Sequence, residues 1–417
     1  MPTVIAAGGI AALLRPGMRV YAPGLSGESP LLVDALRADP ERCAGVRFVG
    51  VWLPGYNEVD YAGLHPSARA TAFFVGPALR ASFVAGRIDY LPMSYFAIYA
   101  YLRDRAPVDL ALLQVAPPDP FGRCSLGVAN DFTPAMLDKA ACTVAHVNPE
   151  MPRTVGAATV RFEDLDYVVE APHPLLGGDD GIDPAFAAIG RHLATLVPDG
   201  ATLEVGVGKV QGVLAALCGH RDLRLHTGAF SDPLLRLAES GALADRDAAV
   251  TAGVAWGSEA LYAFVADNPR FCFAPVGATH AVTTLAAIDR FIAVNAVIEV
   301  DLLGQANAEM IDGRQVSSAG GITDFMRGAR LSPGGLAVVA LPATTKGGTV
   351  SRIVPRLDAG TAVSVARADM QVVVTEHGIA DLRDRSVDAR AEALIAVAAP
   401  AFRDRLAAAW RDRRARM

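Results

Sequence analysis

Three stretches of this 417-residue sequence carry residue types and spacings that could do chemistry. Gly206-Val207-Gly208 follows the β-rich run Thr202–Val205 and precedes the apolar segment Val210–Leu217. A glycine turn between strand and helix presents backbone N–H groups to a ligand. A dinucleotide fingerprint is incomplete here, because Gln211 holds the third glycine position, Gly212 comes one place late, and Asp222 precedes the next strand. The second stretch, Phe291–Asp301, reads as one strand with Asn295, Glu299 and Asp301 on one face and Val294, Ala296, Ile298 and Val300 on the other. Carboxylates on so apolar a strand are costly unless hydrogen-bonded or used. They therefore imply either a structural polar network or a catalytic set. The third stretch pairs Gly320-Gly321 with Asp324, Phe325 and Gly328, and Gly334-Gly335 follow. Paired glycines allow positive φ and close backbone approach, and their N–H groups can cradle an oxyanion or a phosphate.

These stretches must be held by regular elements. Strands are predicted at Arg19–Ala22, Gly45–Leu53, Leu110–Val115, Thr143–Val147, Thr202–Val205, Leu223–His226, Phe291–Asp301, Ala337–Leu341 and Val372–Thr375. Helices are predicted at Leu31–Ala38, Asp183–Leu196, Val210–Leu217 and Ala389–Ala398. Such alternation predicts an α/β fold with largely parallel sheets. Strand, glycine turn and helix occur twice, at Val20–Pro30 and at Leu203–Leu217, which suggests two related domains whose turns face a shared cleft. The Gly/Asp/Pro-rich stretch Pro172–Pro184 marks the boundary between domains spanning residues 1–178 and 186–417.

Composition narrows the class. The chain is 52% hydrophobic and 20% charged with a net charge of −6, which excludes disorder and a basic nucleic-acid footprint. No run reaches the roughly 18 apolar residues of a membrane span, and Met1–Leu14 lacks a basic n-region, so neither a membrane location nor secretion is expected. Five cysteines without CxxC spacing argue against structural zinc and a disulfide framework; no metal site is expected, and a reducing cytoplasm is.

The second half resembles the acetyl-CoA hydrolase/CoA-transferase family, which includes acetate and 4-hydroxybutyrate CoA-transferases. The motifs are Asn295-Ala-Val-Ile-Glu299-Val-Asp301-Leu-Leu-Gly304-Gln305 with Asn307 and Glu309, Gly320-Gly321-Ile-Thr-Asp324-Phe325, Ser351–Pro355 and Val374–Leu382. Asp119–Gly127 and Asn148–Thr154 extend the resemblance into the first half. It implies two class I CoA-transferase-like α/β domains, with most of the active site in the second, an acyl-CoA thioester as substrate, no permanently bound cofactor and a homo-oligomeric state. In the family a glutamate attacks the thioester and passes through an acyl-glutamyl anhydride and a glutamyl-CoA thioester, with the oxyanion on backbone N–H groups. By position, Val207 between Gly206 and Gly208, and Gly321 beside Gly320, match active-site residues, and Glu376 matches an active-site glutamate. Asp324, Phe325 and Gly328 belong to the same binding frame, and Lys346 is expected near the CoA phosphates or pantetheine.

Two positions depart from that pattern. The nucleophilic glutamate would stand at Gly228 in Leu225-His226-Thr227-Gly228, and a Thr-Asn pair appears as Thr279-His280. Without a carboxylate at Gly228 no glutamyl-CoA can form there. A histidine titrates near neutrality, so His280 is a candidate general base toward water, His226 a second, and Glu376 a proton-handling partner. The leading expectation is an acyl-CoA thioester enzyme that hydrolyses or cleaves its substrate without glutamyl-CoA. Two alternatives stay open: a CoA-transferase acting on a small carboxylate through a displaced carboxylate such as Glu299 or Glu204, and a non-catalytic CoA-binding partner subunit.

Overall fold

A computed structural model describes every residue except 138, 179–183 and 346. The expected α/β class is observed. Two eight-stranded sheets dominate, one formed wholly before residue 171 and the other wholly after residue 201. In the first, all neighbours run parallel in the spatial order Thr3–Val4, Tyr167–Glu170, Cys142–Val147, Leu110–Val115, Arg19–Tyr21, Arg47–Gly50, Arg69–Ala72 and Ile88–Tyr90. In the second the order is Phe271–Phe273, Val250–Trp256, Arg224–Ser231, Thr202–Val205, Phe291–Asn295, Leu336–Ala340, Val372–Thr375 and Gly378–Asp381, and only the last strand is antiparallel. Parallel strands covered on both faces read as continuous apolar runs, and Leu110–Val115, Leu336–Ala340 and Val372–Thr375 are buried throughout. The boundary stretch around residue 180 lies partly outside the described residues.

Three predicted elements differ from those observed. The strand beginning near Leu223 continues to Ser231, so Gly228 lies inside a strand. The helix after Gly208 is a 3₁₀ helix, Lys209–Leu217. The single strand Phe291–Asp301 is two strands. The chain leaves the large sheet after Asn295, and Glu299–Asp301 joins a three-stranded sheet with Ala306–Asn307 and Ile353–Val354. Arg352 holds the break open, its guanidinium donating to the carbonyls of Val297 and Ile298 at 2.8 Å each. Glu299 accepts from the Asn307 side chain at 2.9 Å, and Asp301 accepts from the Leu303 and Gln305 N–H groups at 2.9 and 3.0 Å. Both carboxylates therefore serve a polar network that shapes this turn.

Candidate active site

The carboxyl ends of the two sheets meet around a cavity of about 230 Å³. Both glycine turns reach it. Leu25 comes from the first, and Gly206 and Val207 from the second, beside Gly228, His280, Asn295, Gly320, Gly321 and Phe325. Leu53, Pro54, Tyr56, Phe74 and Tyr95 supply an apolar wall from the first half. Close packing dictates the first turn glycine and Gly206: a Cβ at Gly24 would lie 1.9 Å from the Val51 carbonyl oxygen, and one at Gly206 2.7 Å from the Asn295 amide oxygen.

His280 is the centre of the arrangement. It is 2% exposed, stacked on Tyr95 with ring centroids 4.9 Å apart and packed on Phe325 at 4.4 Å. The Thr279 hydroxyl meets His280 Nδ1 at 2.8 Å and has the Pro275 carbonyl at 3.4 Å. Nε2 lies between two cavity glycines: a Cβ would sit 3.3 Å from it at Gly228 and 2.8 Å from it at Gly321. The imidazole thus occupies the space beside Gly228 into which a side chain there would grow. Burial disfavours the imidazolium and pushes His280 down to about 3, with His226 adding a smaller effect of the same sign. The ring is neutral at physiological pH. His226 lies behind it, outside the cavity lining, and donates from Nε2 to the Thr279 carbonyl at 3.0 Å. It fixes the turn that carries His280.

Two carboxyl groups reach the same space. Glu204, 2% exposed in the middle of the second sheet, accepts from the Asn295 amide at 2.7 Å, and burial pushes it up to about 8. Asp131, 7% exposed, comes from the first half and is raised to about 6 by burial against the opposing pull of backbone N–H groups. The sequence reading missed Asp131. Its signal was Asn130-Asp131 inside the otherwise apolar run Leu126–Met136, which carried no function of its own.

Other sequence-predicted residues stand elsewhere. The Glu376 carboxylate accepts from the Ala343 N–H at 2.8 Å at the end of strand Val372–Thr375 and does not line the cavity. Asp324 is also outside the lining; it accepts from Ser94 Oγ at 2.8 Å and the Phe96 N–H at 3.1 Å, joining helix Ile322–Leu331 to the start of helix Tyr95–Asp104. Gly328 is a packing residue inside helix Ile322–Leu331, where a Cβ would come within 2.3 Å of Leu285 Cβ. Gly208 takes φ +86° ahead of the 3₁₀ helix. Lys346 lies outside the described residues. Val207 and Gly321 line the cavity, and no backbone carbonyl among the described residues accepts from either N–H.

The fold and site define an α/β protein with paired parallel sheets, the class of open sheets that takes ligands in the crevice outside the carboxyl ends of its strands. The sequence relationships make this specific. Residues 3–176 match the acetyl-CoA hydrolase/transferase N-terminal domain and residues 257–410 the corresponding C-terminal domain. The chain is 37% identical to the 4-hydroxybutyrate coenzyme A transferase of Clostridium kluyveri, over 91% of this chain and 90% of that one. It is 24% identical to the acetyl-CoA hydrolase of Neurospora crassa, over 84% of this chain and 75% of that one. Among solved structures, RipA from Yersinia pestis superposes with a TM-score of 0.92 at 29% identity, covering 99% of this chain and 98% of that one. The 4-hydroxybutyrate CoA-transferase of Porphyromonas gingivalis gives 0.80 at 30% identity, with 99% and 98% covered. The chain belongs to the acetyl-CoA hydrolase/transferase family, whose named members include both CoA-transferases and hydrolases.

Proposed function

We propose that this protein cleaves an acyl-CoA thioester with water and forms no glutamyl-CoA intermediate. The reading is supported by one observation, the His280 ring beside Gly228, taken together with our placing of the family's nucleophilic glutamate at that position. The acyl carbonyl enters between the turn at Gly206-Val207-Gly208 and the Gly320-Gly321 pair. Its oxygen takes the Val207 and Gly321 N–H groups as the carbon becomes tetrahedral. Neutral His280 hydrogen-bonds the attacking water through Nε2 and sets its direction. His226 and Thr279 keep that ring in place. The pantetheine arm leaves the cavity past the carboxyl ends of the second sheet, toward the end of strand Val372–Thr375 that Glu376 follows. The acyl-CoA is the substrate, and the enzyme works in the cytoplasm as a homo-oligomer.

The test incubates the purified protein with acyl-CoAs of different acyl groups and follows free thiol with and without acetate. Thiol release without any carboxylate acceptor is expected, and His280→Ala should lower kcat about 10- to 100-fold by loss of water orientation. Transfer that requires acetate, or a glutamyl-CoA adduct reduced by borohydride, would sink the reading. A second reading, transfer through a displaced carboxylate, is favoured by the presence of Glu204 in the cavity; Glu299 is engaged by Asn307 outside it. That reading requires hydroxylamine inactivation that disappears in Glu204→Gln. Thermal stabilisation by CoA with no thioester turned over would instead mark a non-catalytic CoA-binding subunit.

A further inference from the structure

We propose that Asp131 is the general base of this cleavage, its carboxylate taking the proton from the water that attacks the acyl carbonyl. The proposal rests on the hydrolytic reading above and assigns the proton acceptor that neutral His280 does not supply.

Position is the first argument. Asp131 belongs to the first half but is carried onto the second sheet by its own segment. The Asn130 N–H donates to the Gly253 carbonyl at 3.0 Å, and the Ala255 N–H donates to the Val128 carbonyl at 2.9 Å. The Val276 N–H then donates to the Asp131 carbonyl at 3.0 Å. A Cβ at Gly253 would lie 3.5 Å from Asp131 Cβ and 3.0 Å from the Gly228 carbonyl oxygen, so Asp131 borders the Gly228 strand and lines the same cavity as His280.

Lack of any structural employment is the second. The backbone N–H groups of Phe132 and of Asp131 itself are what offset the burial of the carboxylate. No ion pair or side-chain hydrogen bond engages it among the described residues. The groups that face it are the phenols of Tyr21 and Tyr95, both pushed up by burial and by its charge, and across the cavity Glu204 and His280. The Tyr21 hydroxyl is engaged with Thr133 Oγ1 at 3.2 Å. A buried carboxylate without a countercharge is destabilising, so its place at the edge of a substrate-sized cavity points to use.

Its chemistry suits the role. Burial raises Asp131 to about 6, within reach of the operating pH of a general base, whereas His280 at about 3 is too weak to accept a proton from water. In the step, a water O–H bond breaks and its proton moves to an Asp131 oxygen. The water oxygen bonds the acyl carbon, and the carbonyl π pair becomes the oxyanion held by the Val207 and Gly321 N–H groups. Collapse breaks the C–S bond, and the Asp131 proton passes to the departing thiolate. The products are the carboxylic acid and CoA thiol.

The experiment follows thioester hydrolysis by the full chain between pH 4.5 and 8.5. For wild type, kcat/KM should rise with pH through an apparent pKa near 6 and then level off. Asp131→Asn should lose ~10²- to 10⁴-fold in kcat with little change in KM, and the acid limb should vanish. A limb that survives in Asp131→Asn, or near-wild-type turnover, overturns the assignment. Should the Asn variant fail to fold, Asp131→Glu carries the test: an acid limb displaced in pH supports the base, and an unmoved limb overturns it. Inactivation by hydroxylamine during turnover, traced to a hydroxamate at Asp131, would make it a nucleophile and overturn the base. Wild type that hydrolyses no thioester defeats both readings, whereas an indifferent Asp131→Asn leaves hydrolysis standing and removes only the base.

Discussion

At the scale of single residues, Gly228 and His280 share one space. Gly228 sits in an extended strand, so the backbone would accept any side chain there without strain in φ. Space is what constrains it. A Cβ would already lie 3.2 and 3.3 Å from the Cε1 and Nε2 atoms of His280, and the rest of a glutamate would have to pass the ring. We expect Gly228→Glu alone to destabilise the fold by ~1–3 kcal/mol through overpacking, and to give no covalent adduct. Gly228→Glu with His280→Asn should recover that stability and yield a glutamyl-CoA thioester that borohydride traps, at the expense of hydrolysis. Urea unfolding of the two single variants and the double measures the coupling; an additive result would separate the two positions. The sequence drew attention to both positions only through the motifs around Thr227 and Thr279. That the histidine packs into the space beside the glycine was not legible, since the two stand 52 positions apart and only the folding of the second half brings them together.

At the scale of elements, most strands were readable because parallel strands buried on both faces are short apolar runs with nothing else to be. Phe291–Asp301 was the exception. Alternation along it described one strand faithfully, and nothing in its own residues shows Arg352 drawing Val297 and Ile298 out of the sheet. Asp324 shows a similar limit. Its place beside paired glycines suggested ligand binding, yet its carboxylate caps helix Tyr95–Asp104 from the opposite half, and the Tyr95 N–H donates to the Gly320 carbonyl at 3.1 Å alongside. That tie stations Tyr95, and through ring stacking His280, at the cavity wall. Asp324→Ala should cost ~1–2 kcal/mol in urea unfolding, the value of a lost N-terminal cap. It should also change the pH profile of stability. Burial raises Asp324 to about 6 from its usual 3.8, so between those values the folded chain holds more protons than the unfolded chain, and stability falls as pH rises. The variant should lose that part of the slope; a slope unchanged from wild type would place the effect on another group.

At the scale of the whole molecule, the net charge of −6 says little about the reaction, while the distribution of charge around the cavity says much. The two sheets contribute an apolar wall from Leu53, Pro54, Phe74 and Tyr95, two carboxyl groups, and no cation among the described lining residues. Glu204 is held protonated up to about pH 8, and Asp131 is ionised above about 6. A second carboxylate on the acyl group would enter this space beside Asp131 with nothing to neutralise it, and burying such a charge unpaired costs several kcal/mol. Even ~2.7 kcal/mol of that penalty corresponds to ~100-fold in kcat/KM. Uncharged acyl groups large enough to cover the aromatic wall, such as hexanoyl or benzoyl, should therefore exceed succinyl-CoA by at least about that factor. The same field would disfavour a free carboxylate acceptor, in keeping with the hydrolysis we propose. Specificity constants for hexanoyl-, benzoyl- and succinyl-CoA at pH 7.5 decide the matter. Comparable values for the charged substrate would require a cation in the cavity. An Asp131→Asn variant that improves succinyl-CoA relative to hexanoyl-CoA would trace the discrimination to that one carboxylate.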